Sequence, residues 1–125
     1  MVAAIQFQIV GLNETLNQLK KLGIEKLNKV NDAVHTAGFE LIGEVQLSIA
    51  GQSDEPTSVD TGRFLNSVPV DSDLTQPFIS KVQSNVPYSK HLEYGTSRIA
   101  PRRHFQNSLL RNKDKIEKMI KVSVQ

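Results

Sequence analysis

Three histidines are the first residues to consider for chemistry, and their spacing argues against a metal site. His35, His91 and His104 lie far apart, so no two have the three- or four-residue separation that places ligands on one helix face. The 125 residues include no cysteine, which excludes thiolate ligands, disulfides and thiol nucleophiles. The sequence therefore predicts no bound metal and no cofactor.

Nucleophilic catalysis has equally weak support. Asp60, Ser67 and His91 supply the residue types of a triad, but there is no G-x-S-x-G turn and no glycine-rich phosphate loop. We therefore expect a protein that is not an enzyme. A deep pocket that held Asp60, Arg63, His91 and Glu93 would be the observation in favour of a small enzyme.

Charge is concentrated near the end of the sequence. Between Arg98 and Lys121 there are eight basic and two acidic residues, a net charge of +6. The whole chain carries +2, so the remainder carries −4. This pattern is typical of a solvated helix face, and also of a docking surface for an acidic partner or for DNA passing nearby. Both interpretations stay open.

Hydrophobic spacing predicts the first half of the fold. Alternation over residues 2–10 predicts a half-buried strand, and residues 13–23 predict a short helix. A long helix is predicted over residues 24–49, with Phe39 and Ile42 off its main apolar stripe. The stripe recurs at steps of three and four residues and comprises Leu27, Val30, Val34, Ala37, Leu41, Val45 and Ile49.

The second half is predicted to combine a loop, a hairpin and two helices. The polar stretch GQSDEPTS at residues 51–58 is typical of a flexible loop. Alternation over 67–71 and 78–84 predicts a β-hairpin, with Pro69 at an edge or a bulge. Helices are predicted over 88–94 and 103–121.

These elements together predict an α+β fold. A small antiparallel sheet would pack against the long helix, with a short helix and a C-terminal helix beside it. The length fits a single domain over residues 1–125. No apolar run approaches the roughly 18 residues that a membrane helix needs, so we expect no membrane association.

Two clusters hold the most informative residues. In the first, V-D-T-G-R-F at residues 59–64, Asp60 is placed to cap one turn of helix. In the second, Y-S-K-H-L-E-Y-G-T at residues 88–96, Glu93 is a partner for Arg63 or for an arginine in the segment 98–103. Capping, packing and an ion pair account for these residues without any ligand.

In this order, the strings V-D-T-G-R-x-x-x-S-V, V-x-Y-x-x-x-L-E-Y-G-T and P-R-R-x-F resemble a family of bacteriophage neck or tail-completion proteins. It is the family named after the tenth gene product of phage HK ninety-seven. Ser89 and His104 stand where members often have alanine and proline. The residues that carry the resemblance are Asp60, Thr61, Gly62, Arg63, Ser67, Tyr88, Glu93, Tyr94, Gly95, Thr96, Pro101, Arg103 and Phe105.

The resemblance implies a structural virion component that acts where a long phage tail joins the capsid. Such a protein is made in the cytoplasm of the bacterial host and ends up in the neck or tail of the particle. Its partners would be neck, head-closure or tail proteins and further copies of itself in a ring, commonly sixfold, with DNA only as passing cargo.

A ring requires surfaces that touch a neighbouring copy. We expect Phe39 and Ile42 to form a second contact face on the long helix, and Arg111, Lys115 and Lys118 to meet an acidic surface. Residues 51–58 would order when another neck protein docks. The alternative is a nucleic-acid-binding module that uses the basic C-terminal helix.

Overall fold

The computed structural model describes residues 23–59 and 62–123, which form four helices. They are α1 (Ile24–Ile49), α2 (Arg63–Asp71), α3 (Ser89–Tyr94) and α4 (His104–Ser123). The predicted strand over 2–10 and nearly all of the predicted helix over 13–23 lie outside the described residues.

Helix α1 spans the residues that the sequence predicted and is about 39 Å long at 1.5 Å per residue. Of its predicted stripe, Leu27 is partly buried against the core. The six buried members are Val30, Val34, Ala37, Leu41, Val45 and Ile49. The three- and four-residue spacing therefore identified the face of α1 that packs inward.

Helix α4 runs antiparallel to α1 and covers this stripe. Three contacts fix the direction: Ser48 with His104, Glu40 with Lys115, and the Val30–Val34 pair with Ile120. The sequence predicted helices over 88–94 and 103–121, close to the observed α3 and α4. Within the described part of the chain, no helix is long and apolar enough to cross a membrane.

The predicted sheet is wrong for the described residues, which contain no β-strand, so the α+β class is not supported. Val68 and Val70, assigned to a hairpin strand, lie in α2. The physical reason is the four-residue step from Phe64 to Val68. Both are buried on one helix face, whereas the side chain of Val70 is 80% exposed.

Proline inside α2 is tolerated because another side chain replaces its missing donor. Pro69 has no N–H to offer the carbonyl of Leu65, four residues earlier. The side-chain amide of Gln46 on α1 donates to that carbonyl at 3.2 Å. The hydrogen bond also ties α2 to α1.

The second predicted hairpin strand is an extended segment rather than a sheet strand. Ser80, Val82, Ser84 and Val86 are buried at every second position, so the predicted alternation is real. Among the described residues, its pairing is one antiparallel bridge, in which the backbones of Asp73 and Lys81 exchange hydrogen bonds of 2.8 and 2.9 Å. The segment packs its inner face on α1.

Close packing of this segment depends on Gly38 in the middle of α1. The hydroxyl of Ser80 donates to the carbonyl of Val34 at 2.8 Å. A Cβ atom built on Gly38 would lie 2.5 Å from the Cβ of Ser80 and 2.8 Å from a methyl of Leu74. Any side chain at residue 38 would therefore push the extended segment off α1.

Candidate functional site

The turn between α3 and α4 holds several of the motif residues. Gly95 ends α3 with φ of 77°, where a Cβ would come within 2.8 Å of the carbonyl oxygen of Ile99. The hydroxyl of Thr96 accepts hydrogen bonds from the amides of Arg98 and Ile99, both at 3.1 Å. These contacts fold the chain back so that the amide of Arg102 reaches the carbonyl of Leu92 at 2.8 Å.

Glu93 fastens the start of α4. Its carboxylate is buried and accepts hydrogen bonds from the backbone amides of Phe105 and Gln106, at 2.9 and 3.0 Å. These are free amides of the first helical turn, which need an acceptor. Burial raises the pKa of Glu93, while the two amides and the charge of Arg103 oppose that rise. The hydrogen bonds to the carboxylate thus come from backbone amides, and the predicted ion pair with an arginine stays a prediction.

The remaining motif residues pack around the same corner. The ring of Phe64 lies edge-on to Tyr88 at a centroid distance of 6.1 Å and beside the buried Phe105 at 6.3 Å. The hydroxyl of Ser67 lies 2.6 Å from that of Ser84. Gly62 adopts φ of 81° immediately before α2.

Motif residues further from this core are more exposed. Tyr94, Pro101 and Arg103 are exposed, and Arg103 has a φ of 54°. Asp60 and Thr61, including the cap predicted at Asp60, lie outside the described residues.

A buried polar network, which no local pattern in the sequence indicates, joins α1, the segment after it and α4. The hydroxyl of Ser48 donates to Glu55 at 2.5 Å and lies 2.8 Å from Nδ1 of His104. The other ring nitrogen, Nε2, lies 2.6 Å from the hydroxyl of Ser58. Arg102 donates to that hydroxyl at 2.8 Å. Ser58 and Arg102, both half-buried, form the more accessible end of this chain of hydrogen bonds.

Arg111 neutralises the buried carboxylate of this network. Its guanidinium donates two hydrogen bonds to Glu55, at 2.7 and 2.8 Å, and the side-chain amide of Asn107 adds a third at 3.2 Å. The hydrogen bonds from Arg111 are the main cause that lowers the pKa of Glu55 to about 2. The predicted loop over 51–58 is therefore anchored at Glu55 and Ser58. Its predicted flexibility stays a prediction.

The predicted interface residues fall into two groups. Phe39 is 72% exposed, but Ile42 is buried in the core with Leu41 and Val45, so its assignment to a second face is wrong. Ile42 lies about 100° around the helix from Leu41. Its side chain still points inward because α2 and the extended segment widen the buried face of α1.

The basic interface residues also differ from one another. Arg111 is held by Glu55, as described above, and Lys115 forms an exposed ion pair with Glu40 at 3.3 Å. Lys118 lines a groove between α1 and α4 that also includes Lys29 and Asp32. Of the three predicted cations, Lys118 is the one with no ion pair to an acidic side chain among residues 23–59 and 62–123.

One cavity of about 610 Å³ opens beside the polar network. It is lined by residues of the segment after α1, of α2 and of α3, together with Arg102: Thr57, Ser58, Val59, Arg63, Tyr88, Leu92 and Arg102. Of the described residues considered for a small enzyme, Arg63 lines the cavity, whereas Glu93 is turned to α4 and His91 is exposed. Among residues 23–59 and 62–123, no three histidine, aspartate or glutamate side chains are grouped to hold a metal ion.

The acid sensitivity of the fold should depend on His104. Burial is the main cause that lowers its pKa to about 4, so the folded state resists protonation that the unfolded chain accepts near 6.5. Stability should therefore fall as the pH drops from about 6.5 to 4. Because the pKa of Glu55 is lowered in the folded state, its protonation causes a further loss of stability as the pH falls from about 4.5 to 2.

This pH dependence can be checked by urea unfolding, followed by circular dichroism, at several pH values between 7 and 4. We expect His104→Gln to be less stable at pH 7 but to lose less stability on acidification. His91→Gln, at an exposed position on α3, is the matched control and should follow the original chain. If the free energy of unfolding fell equally with pH in His104→Gln and in the original chain, His104 would not be the source of the acid sensitivity.

Comparison of the chain with family models, with curated proteins and with solved structures returned no match. The likeness to phage neck proteins therefore depends on the ordered motif strings alone. The structure brings Gly62, Ser67, Tyr88, Glu93, Gly95 and Phe105 to one corner of the fold.

Proposed function

We propose that this protein is a structural component of the neck or tail-completion region of a long-tailed phage or prophage, where it acts as a ring subunit. The order of the motifs and the structural roles of their residues support this proposal. Glu93 fastens α4, Gly95 permits the turn, and Phe105 fills the core. These are roles that keep the shape of a building block.

The single observation that carries the ring contact is the exposure of Phe39. A phenylalanine that is 72% exposed in mid-helix gains hydrophobic free energy only when another surface covers it. Gly43, one turn further along α1, has no atom within 4 Å of where a Cβ would be. The outer face of α1 thus offers a projecting ring beside an open position, a shape that fits a second copy or a neighbouring neck protein.

The ring contact is tested by replacing Phe39 with aspartate. We expect Phe39→Asp to reduce the mass measured by light scattering at high protein concentration, because a charge would be buried in the contact. Its melting temperature should stay close to that of the original chain, since Phe39 is 72% exposed and lies outside both core clusters of the described residues. Negative-stain electron microscopy would show whether the larger species are rings.

Val70→Asp is the matched control, because Val70 is also strongly exposed but lies on α2. It should leave assembly unchanged. Equal assembly of Phe39→Asp and the original chain, or a chain that stays monomeric alone and with its particle neighbours, would contradict the ring contact.

The flanking genes test the class independently, because a neck protein is expected among portal, head-closure and tail-tube genes.

Nucleic-acid binding by α4 is the second candidate. The basic residues of this helix favour it, but Arg111 and Lys115 already contact acidic side chains. Affinity for double-stranded DNA that falls steeply with salt would support this alternative. Contact between α4 and an acidic surface of a neighbour is tested by Lys118→Glu, which should weaken assembly. Reversing the charge of Arg111 would be a poorer test, because it would also disrupt the fold.

A further inference from the structure

The hydrogen bonds that end at Ser58 are compatible with only one direction of donation. Glu55 is ionised near neutral pH, because its pKa lies at about 2, and it can only accept from Ser48. The Ser48 oxygen then accepts from Nδ1–H of His104. Since His104 is neutral, Nε2 carries the lone pair and accepts the hydroxyl hydrogen of Ser58.

Arg102 agrees with this direction at the outer end. A guanidinium can only donate, and Arg102 donates to the oxygen of Ser58 at 2.8 Å. A second bond from the same nitrogen, to the carbonyl of Thr57 at 2.6 Å, fixes its position. The Ser58 oxygen is thus held between a base that takes its hydrogen and a cation that stabilises negative charge.

Ser58 is also accessible to small molecules. It lines the cavity of about 610 Å³, together with apolar surface from Val59 and Leu92. His104, by contrast, is fully buried behind it. A reagent entering the cavity therefore meets the serine oxygen first, with the base on the far side.

We propose that Ser58 is a reactive serine that takes up a phosphonyl or acyl group from small fluorophosphonates and activated carboxylic esters. This goes beyond the proposed structural function and does not depend on ring formation. With a fluorophosphonate, the Ser58 oxygen bonds to phosphorus, the P–F bond breaks and fluoride leaves. With an activated ester, the Ser58 oxygen bonds to the carbonyl carbon, the C–O bond to the alcohol part breaks, and that part leaves as its anion. The proton of Ser58 passes to Nε2 of His104 and then to water, and no electrons are exchanged with a cofactor.

The site has the relations expected of an activated nucleophile: oxygen to base, base to an orienting group, and a cation beside the position where charge develops. Burial makes His104 a weaker base than one with a pKa near 7, which limits the gain in rate. The expected effect is therefore enhanced labelling rather than rapid turnover.

The test uses the intact chain and a small alkyl fluorophosphonate probe at pH 7.5. Peptide mass spectrometry should place the adduct on Ser58. Labelling of Ser58→Ala should be slower than labelling of the original chain by a factor of about ten or more. Ser97→Ala, at an exposed serine outside the network, is the matched control and should be labelled like the original chain. Adducts spread over several serines, or no adduct, would overturn the proposal.

A second variant keeps Ser58 in place. Ser48→Ala removes the link between His104 and Glu55, so labelling at Ser58 should slow severalfold if the relay activates the serine. Circular dichroism and a melting curve would establish that this variant is folded under the labelling conditions. Labelling of folded Ser48→Ala at the original rate would overturn the relay, whatever the oligomeric state of the chain.

Discussion

Arg111→Met should lower the free energy of unfolding by about 2–3 kcal/mol, because it leaves the buried carboxylate of Glu55 without its cation. The side chain of Glu55 is only 4% exposed, and two of its hydrogen bonds come from Arg111. Methionine preserves much of the stem volume but leaves the carboxylate with Ser48 and Asn107 alone. Urea unfolding at pH 7 measures the loss.

Lys115→Met is the control for Arg111, because Lys115 also pairs with an acid on a neighbouring segment but does so in solvent. That exposed pair should contribute less than about 1 kcal/mol. Adding Glu55→Gln to Arg111→Met should recover part of the loss, since the buried charge is then removed. A loss for Arg111→Met no larger than for Lys115→Met would contradict the role given to Arg111.

The second large effect is expected at Gly38. Gly38→Ala should cost about 2 kcal/mol, within the range for overpacking a core, because its methyl would collide with Ser80. The Ser80 backbone would have to shift, which would also weaken its hydrogen bond to the carbonyl of Val34. Thermal unfolding of the purified variant measures this loss.

Gly43→Ala gives the opposite result on the same helix. A Cβ at residue 43 meets nothing within 4 Å, so only the gain in helix propensity remains, about 0.5–1 kcal/mol of stabilisation. The pair thus separates helix propensity from packing. Equal shifts of the melting temperature for Gly38→Ala and Gly43→Ala would show that the extended segment does not press on α1.

Sequence periodicity was sufficient for α1 because its signal is long. Seven apolar positions at steps of three and four, from Leu27 to Ile49, define one face of a helix of 26 residues. The same reasoning failed at residues 67–71, where two valines beside Pro69 gave too short a pattern to separate period two from a helix. The replacement donor for Pro69, Gln46, lies on another helix and leaves no local signal.

The polar network escaped prediction for a related reason. Glu55 lies in a stretch of polar residues that is typical of a solvated loop, and its partner Arg111 is 56 positions away. His104 and Ser48 are likewise 56 positions apart. Local patterns can identify a helix face. They do not reveal which distant side chain will pair with a loop carboxylate and so allow that carboxylate to be buried. Glu93 was predicted to pair with an arginine, and the structure adds two backbone amides that donate to its carboxylate.

The core along α1 is divided, and this affects how the helix opens. The larger cluster lies toward its C-terminal half, around Leu41 and Ile49, and the smaller one comprises Val30 and Val34. Among the described residues, fewer buried groups oppose local opening at the smaller cluster. We therefore expect amide protons in the N-terminal half of α1 to exchange with solvent faster than those near Ile49.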